Sequence, residues 1–167
     1  EVARGYDVMG NLASEQDGNG KATAYSYDLL KHLVKKTYAD GTSLALGYDQ
    51  NGNPVSVTDP NGNVVRYGYD AMNRMNTITY ADGLTEEFSY DKLGNMVLRK
   101  NRKGESVTFT IDELNRMITK TYPGGAQSTY AYDALSRLAS AKNDSSQVAF
   151  SYNKAGKVSK VVQDGKT

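Results

Sequence analysis

Apolar and polar residues alternate in short runs along this chain. Leu44, Leu46 and Tyr48 fall on one side of an extended strand, with Ser43, Ala45 and Gly47 on the other; Val65, Tyr67, Tyr69 and Val107, Phe109, Ile111 repeat the arrangement. A period of two marks a strand with one face turned toward apolar neighbours. A second set of runs starts at an apolar column, Leu12, Leu33, Met75, Met96, Met117, Leu138 and Val158, with Pro54 as its exception, and continues through residues such as Val55, Val57, Ile78, Leu98 and Ile118. Its alternation is weaker, so the pattern does not fix its inward face. No stretch keeps a helical apolar spacing over three turns without meeting a glycine-containing turn, and the strand formers Tyr, Val and Thr fill the periodic segments. The expected fold is all-β.

The runs are parts of a repeat. Tyr-Asp pairs occur at Tyr6-Asp7, Tyr27-Asp28, Tyr48-Asp49, Tyr69-Asp70 and Tyr90-Asp91, followed by Ile111-Asp112, Tyr132-Asp133 and Tyr152-Asn153; six of the seven intervals are 21 residues and the last is 20. Fourteen residues after each of the first six pairs begins stands a glycine: Gly20, Gly41, Gly62, Gly83, Gly104 and Gly125. Most of these follow Asn, Asp or Gly, the chemistry of a two-residue hairpin turn with positive φ. A second reversal is expected after each Tyr-Asp pair, where the Asp carboxylate accepts from amides further along an Asx-type turn. Two reversals per repeat leave two strands of ordinary length, so each repeat reads as a β-hairpin. The whole chain, 1–167, reads as one array with units beginning near 6, 27, 48, 69, 90, 111, 132 and 152, a continuous antiparallel meander forming a curved or spiralling sheet. It opens and closes in mid-repeat, as a piece of a longer array does.

Every aromatic residue falls in one of three columns. Tyr opens the Tyr-Asp pair; Tyr25, Tyr67, Phe88, Phe109, Tyr130 and Phe150 lie two residues before it; Tyr38, Tyr80 and Tyr122 lie just ahead of the glycine turn. Equivalent strands are two spacings, roughly 10 Å, apart, so the first two columns are expected to pack among aliphatic side chains rather than on one another. The third column stands at the rim, where a sugar face can stack on an exposed ring.

Composition narrows the function classes. Hydrophobic residues make up only 38% of the chain, consistent with a sheet that keeps one wet face. Lys and Arg number 20 against 19 Asp and Glu, a formal charge of +1, and the basic residues are scattered, which argues against nucleic acid as a partner. With no cysteine, neither a disulfide framework nor a thiolate metal site is available. The first residues, Glu1-Val2-Ala3-Arg4-Gly5, lack the basic and apolar regions of a signal peptide, and no apolar run reaches the ~18 residues of a membrane helix.

No catalytic constellation emerges. Asp7, Asp28, Asp49, Asp70, Asp91, Asp112 and Asp133 supply one carboxylate per unit at roughly 10 Å intervals, whereas calcium needs about six converging oxygens, so they read as turn caps. Asp70 with Arg74, and Asp133 with Arg137, are placed to pair across the loop. His32, the sole histidine, sits at a variable loop position and reads as a solvated residue. Asp17-Gly18-Asn19-Gly20 has no following helix or Lys-Ser/Thr and is a hairpin turn rather than a phosphate cradle. No metal or cofactor is expected.

Segments such as Tyr90-Asp91-Lys92-Leu93-Gly94-Asn95-Met96 and Tyr6-Asp7-Val8-Met9-Gly10-Asn11-Leu12, with Arg at the sixth position in Arg74, Arg116 and Arg137, closely resemble the Tyr-Asp repeat of the rearrangement-hot-spot (Rhs) family. The resemblance covers essentially the whole chain. It implies a sheet that spirals into a hollow β-shell, as in bacterial polymorphic toxins, toxin-complex subunits and teneurins, enclosing a C-terminal toxin in the bacterial members. The family's self-cleaving core and a toxin domain have no counterpart here.

The expectation is therefore a non-enzymatic wall segment of a secreted or surface-displayed bacterial protein. Its partners would be the rest of the array, an enclosed cargo and, through open sheet edges, other strands. The alternative is a carbohydrate-binding or adhesive module using Tyr38, Tyr80 and Tyr122.

Overall fold

A computed structural model describes residues 2–164. They form two compact units that divide between residues 85 and 86. The first contains β1 (Ala3–Tyr6), β2 (Leu12–Gln16), β3 (Ala22–Tyr27), β4 (Leu33–Thr37), β5 (Ser43–Tyr48), β6 (Pro54–Thr58), β7 (Val64–Tyr69) and β8 (Met75–Thr79). The second is built from β9 (Thr85–Tyr90), whose first residue ends the first unit, then β10 (Met96–Lys100), β11 (Ser106–Ile111), β12 (Met117–Thr121), β13 (Gln127–Tyr132), β14 (Leu138–Lys142), β15 (Gln147–Tyr152) and β16 (Val158–Gln163). Strand order in the sheet is chain order, and the described residues contain no helix. The all-β antiparallel meander is what the alternation and turn spacing predict.

The two faces differ in chemistry. Cross-strand rows such as Leu46–Val57–Val65 in the first unit and Tyr130–Ala141–Val148 in the second carry the aliphatic and aromatic side chains. Rows on the other face are small and polar, as in Gly5–Ser14–Ala24–Thr37–Ser43 and Thr110–Thr119–Thr129. Favourable apolar pairs of this kind contribute roughly 0.2–1 kcal/mol each. None of the described side chains is fully buried, so the apolar rows are half-covered by their neighbours and do not form a closed core.

Each hairpin that passes through a Tyr-Asp loop carries a β-bulge beside the tyrosine. Gly47 faces Ser56 and Tyr48 faces Pro54, which leaves Val55 as the extra residue. In the preceding hairpin Ser26 faces Lys35 and Tyr27 faces Leu33, and Val34 is the extra residue. The insertion shifts the inside–outside phase of the second strand part-way along it. This is why the second strand's alternation is weak in the sequence although its pairing is regular.

The glycine turns depart from the two-residue expectation. In the loop from Asp17 to Lys21 the Asp17 N–H donates to the Lys21 carbonyl at 2.9 Å and the Gly20 N–H to the Asp17 carbonyl at 3.0 Å, with φ +82 at Gly20 and no positive φ at Asn19. That is a three-residue loop, a type I turn followed by one left-handed residue and a bulge. The loops at Tyr38, Asp59, Tyr80, Asn101 and Tyr122 share its hydrogen bonds, and Pro123-Gly124, with φ +85 at Gly124, turns the last into a type II variant. In the shorter seventh unit Asn143 N–H donates to the Ser146 carbonyl across only two residues, a loop with no left-handed position, which explains the missing glycine.

These loops alternate in a way that a 21-residue period conceals. Their first residue is Asp17, Tyr38, Asp59, Tyr80, Asn101, Tyr122 and Asn143 in order, so Asx and Tyr openers take turns and the full period is 42 residues. Asp17, Asp59, Asn101 and Asn143 cap their own loops through Oδ1. Behind Tyr38 and Tyr80 the acceptor moves to Asp40 and Asp82, inside the loop.

Candidate functional site

The repeated Tyr-Asp loops define the chemistry of one rim in each unit. Within a loop the aspartate is the hub. Asp70 Oδ1 accepts from the Met72 and Arg74 amides at 2.9 and 3.0 Å, and Oδ2 accepts from Arg74 Nε at 2.7 Å. Asp7, Asp28, Asp49, Asp91, Asp112 and Asp133 repeat this with Asn11, His32, Asn53, Asn95, Arg116 and Arg137 as the fourth residue on. The Arg74 side chain, then its backbone amide, holds the Asp70 carboxyl below the usual carboxylate range, and Asn11 does the same for Asp7. The two Asp–Arg pairs read from the sequence are present, Arg74–Asp70 at 2.7 Å and Arg137–Asp133 at 2.6 Å.

The tyrosine reaches back to the preceding repeat. Tyr27, Tyr48 and Tyr69 donate their hydroxyls to the carbonyls of Leu12, Leu33 and Pro54 at 3.1, 3.0 and 2.8 Å. In the second unit Tyr132 and Tyr152 donate to Met117 and Leu138 at 2.9 and 2.8 Å. Each acceptor is the first residue of a second strand. Between β4 and β5 the paired residues are only Lys35–Ala45, Lys36–Leu44 and Thr37–Ser43, so the tyrosine hydroxyl serves a carbonyl beyond the end of the ladder. Tyr90 and Asp91 occupy the same positions of their repeat, whereas Ile111 has no hydroxyl to give.

The side chain anchored by one aspartate also lies on the next repeat's tyrosine. The rings of His32 and Tyr48 stack at 4.8 Å, and the guanidinium carbons of Arg116 and Arg137 stand 4.7 and 4.2 Å from the ring centres of Tyr132 and Tyr152. His32 is therefore not a solvated loop residue. It is half-buried, bonded through Nδ1 to Asp28 Oδ2 at 3.0 Å, and takes the place that arginine holds elsewhere. The tyrosines likewise meet planar polar groups as well as aliphatics. Aspartate, its partner four residues on, and the next tyrosine thus form an inter-repeat clasp.

A further link runs from loop to loop. The third residue after each aspartate is left-handed, and it is Gly10, Gly52 and Gly94 in some repeats but Lys31, Asn73, Asn115 and Ser136 in others. Three of the polar ones accept from the preceding loop: Asn53 Nδ2 reaches Asn73 Oδ1 at 3.1 Å, Asn95 Nδ2 reaches Asn115 Oδ1 at 3.0 Å, and Arg116 Nη1 reaches Ser136 Oγ at 3.2 Å. Two residues after the aspartate six of the seven loops expose an apolar side chain, Met9, Leu30 and Met72 in the first unit and Leu93, Leu114 and Leu135 in the second, with Asn51 as the exception. Sequence reasoning passed over this row, although its 21-residue spacing signals it.

The opposite rim holds Gly41, Gly62, Gly83, Gly104 and Gly125 in their left-handed turn positions, and Tyr38, Tyr80 and Tyr122 at the loop openings. Lys36 Nζ stands 5.0 Å from the centre of the Tyr38 ring and Lys120 Nζ 4.5 Å from that of Tyr122. Beside Tyr38 an open depression of about 700 Å³ is lined by Glu15, Asp17, Lys21 and Asp40 among others. Among the described residues no group of His, Cys, Asp and Glu is arranged to hold a metal ion.

Residues 1–166 match the family model of the teneurin YD-shell. No curated protein sequence matches the chain. Solved structures with the same fold include the TcdB2–TccC3–Cdc42 complex, with a TM-score of 0.72 at 13% identity over 98% of this chain and 11% of that one. TcdB2–TccC3 without its hypervariable C-terminal region gives 0.71 at 14% identity, again over 98% and 11%. The Photorhabdus luminescens Tc holotoxin pore gives 0.70 at 15% identity over 94% and 11%. The chain thus spans about a ninth of the length of these relatives by fold.

Proposed function

The chain belongs to the teneurin YD-shell family, and from that premise we propose that it is a length of non-catalytic wall in a secreted or surface-displayed bacterial protein, helping to enclose a C-terminal toxin or effector. One observation carries the reading. The recurrent side chains act on the neighbouring repeat: Tyr48 on Leu33 and His32, Tyr132 on Met117 and Arg116. Chemistry aimed at a ligand converges on one place; chemistry that joins units recurs at every junction. Twist in such a sheet supplies the curvature that an enclosure requires. The partners are the rest of the array and the cargo.

Lysines over Tyr38 and Tyr122 occupy ring faces that a sugar would take, which favours the wall over the glycan-binding alternative. The test is to replace Tyr27, Tyr48 and Tyr132 together with alanine and record circular dichroism, thermal unfolding and glycan-array binding beside the parent chain. A wall loses cooperative unfolding and the parent binds no glycan. A parent that binds glycan, with a second variant replacing Tyr38, Tyr80 and Tyr122 by alanine that stays folded and does not, overturns the proposal.

A further inference from the structure

The chain holds three Asn-Gly dipeptides, Asn19-Gly20, Asn51-Gly52 and Asn61-Gly62, and the fold treats the last two differently although both lie in the first unit. Asn61 is exposed in the loop that joins β6 to β7, with the loops at Tyr38 and Tyr80 on either side of it. Its exposure therefore owes nothing to the ends of the chain. Among the described residues its side-chain amide has no partner, and its backbone N–H donates to Asp59 Oδ1 at 2.9 Å. Gly62 is exposed as well, with nothing within 4 Å of where a Cβ would stand. Asn19-Gly20 stands in a loop of the same kind. Asn51, by contrast, is held. Its Nδ2 donates to Asn73 Oδ1 of the next Tyr-Asp loop at 2.9 Å, and Gly52 is half-buried, with His32 Nε2 3.2 Å from the position a Cβ would take. The turn bonds themselves do not discriminate, since the Gly62 N–H donates to the Asp59 carbonyl at 3.0 Å and the Gly52 N–H to the Asp49 carbonyl at 3.1 Å. The difference lies in the side chains.

We propose that Asn61 is a site of spontaneous deamidation, converting through a succinimide to aspartate and isoaspartate, and that Asn51 is protected from the same reaction by its bond to Asn73. Once the turn bond to Asp59 opens and the Gly62 nitrogen gives its proton to a solvent base, that nitrogen attacks Asn61 Cγ. The N–Cγ bond forms and the Cγ–Nδ2 bond breaks, Nδ2 leaving as ammonia with a proton returned from solvent. Water then adds at Cγ and breaks the new N–Cγ bond, giving aspartate. Addition at the main-chain carbonyl carbon instead breaks its bond to the Gly62 nitrogen and gives isoaspartate. Glycine suits the ring closure because no Cβ hinders the approach to its nitrogen. The aspartate product is one this rim accepts, since Asp40 and Asp82 hold the same position before Gly41 and Gly83 in the flanking loops. Isoaspartate adds a methylene to the backbone inside a three-residue loop and so loosens the bond from the Asp59 N–H to the Asn63 carbonyl. The inference does not depend on what the wall encloses.

The full chain is incubated in mildly alkaline buffer, folded and in parallel unfolded in urea, and fragment-ion mass spectrometry follows the conversion of each asparagine to the acid. In the folded chain Asn61 is expected to convert roughly two- to tenfold faster than Asn51, the effect of one hydrogen bond, and urea is expected to bring the two rates together. Asn73→Gly removes the acceptor yet suits the backbone at φ 59, as Gly10, Gly52 and Gly94 do at the equivalent positions. It is expected to raise the Asn51 rate by the same factor and to leave that of Asn61 unchanged. Equal or reversed rates in the folded chain, a ratio that unfolding does not alter, or an Asn51 rate that Asn73→Gly does not move overturns the proposal. So does an Asn61 that converts in urea and stays intact in the folded chain.

Discussion

The hydroxyl of Tyr48 donates to the carbonyl of Leu33 at 3.0 Å, fifteen residues back and one repeat earlier. The bond fastens β5 to β4 at the end where their ladder has already stopped. Tyr48→Phe keeps the ring on His32 and removes only this bond. It is expected to lower stability by about 0.5–1.5 kcal/mol, read from urea denaturation.

The converse experiment is available at Ile111, where the column lacks a hydroxyl. Ile111→Tyr is expected to raise stability by a similar amount, about 0.5–1.5 kcal/mol, by reaching the carbonyl of Met96, the residue equivalent to Leu33. A neutral or negative change would show that the acceptor is out of reach.

Glycine is required in the rim turns at one position and not at another. Gly62 has φ +84 with open space where a Cβ would stand, so Gly62→Ala is expected to cost about 1–2 kcal/mol from backbone conformation alone. Gly18, in the equivalent loop of the first repeat, has no positive φ and equally open surroundings. Gly18→Ala should be neutral or stabilising by up to about 1 kcal/mol. Thermal melts of the two variants separate the cases.

Asn73 sits at φ 59 and accepts from Asn51 and Asn53 of the preceding loop. Asparagine tolerates this conformation better than other side chains and here also uses it. Asn73→Ala loses both advantages and is expected to destabilise by about 1–2 kcal/mol. Lys31, at φ 67, lacks that tolerance, so Lys31→Asn should stabilise the fold; chemical denaturation of both checks the opposite signs.

The loop carboxylates make stability acid-sensitive. Asp7, Asp59 and Asp70 are held below their ordinary values chiefly by side-chain hydrogen bonds from Asn11, Asn63 and Arg74. The unfolded chain therefore takes up protons first, from about pH 4 downward, and stability is full above that value and falls as pH drops through the lower folded values. Asp70→Asn should shallow the decline by one group's share. A pH series of melting temperatures in which parent and variant run parallel would falsify this assignment.

Much of the fold was legible because strand alternation and turn residues are local signals. Leu44, Leu46 and Tyr48 announce a strand by themselves, and Gly41 or Gly62 announces a turn. The bulge residue Val55 obscured the second strand because a single inserted residue reverses the side-chain phase without altering composition. The loop type was misread because Asn-Gly suits both a two-residue turn and a three-residue one, and the choice depends on pairing beyond the loop. At the candidate site, the aspartate caps and the Asp–Arg pairs followed from short-range spacing. The tyrosine hydroxyl bond and the stacking of His32 on Tyr48 did not, since both join residues that only the register of neighbouring hairpins brings together.

Asx and Tyr openers alternate along the glycine-turn rim, Asp17, Tyr38, Asp59, Tyr80. An engineer shortening the array by one hairpin, for example by deleting residues 27–47, would leave two Asx-opened loops side by side. Excising 42 residues restores the order. The exchangeable cassette is the hairpin pair, and grafts between arrays should be cut at that length.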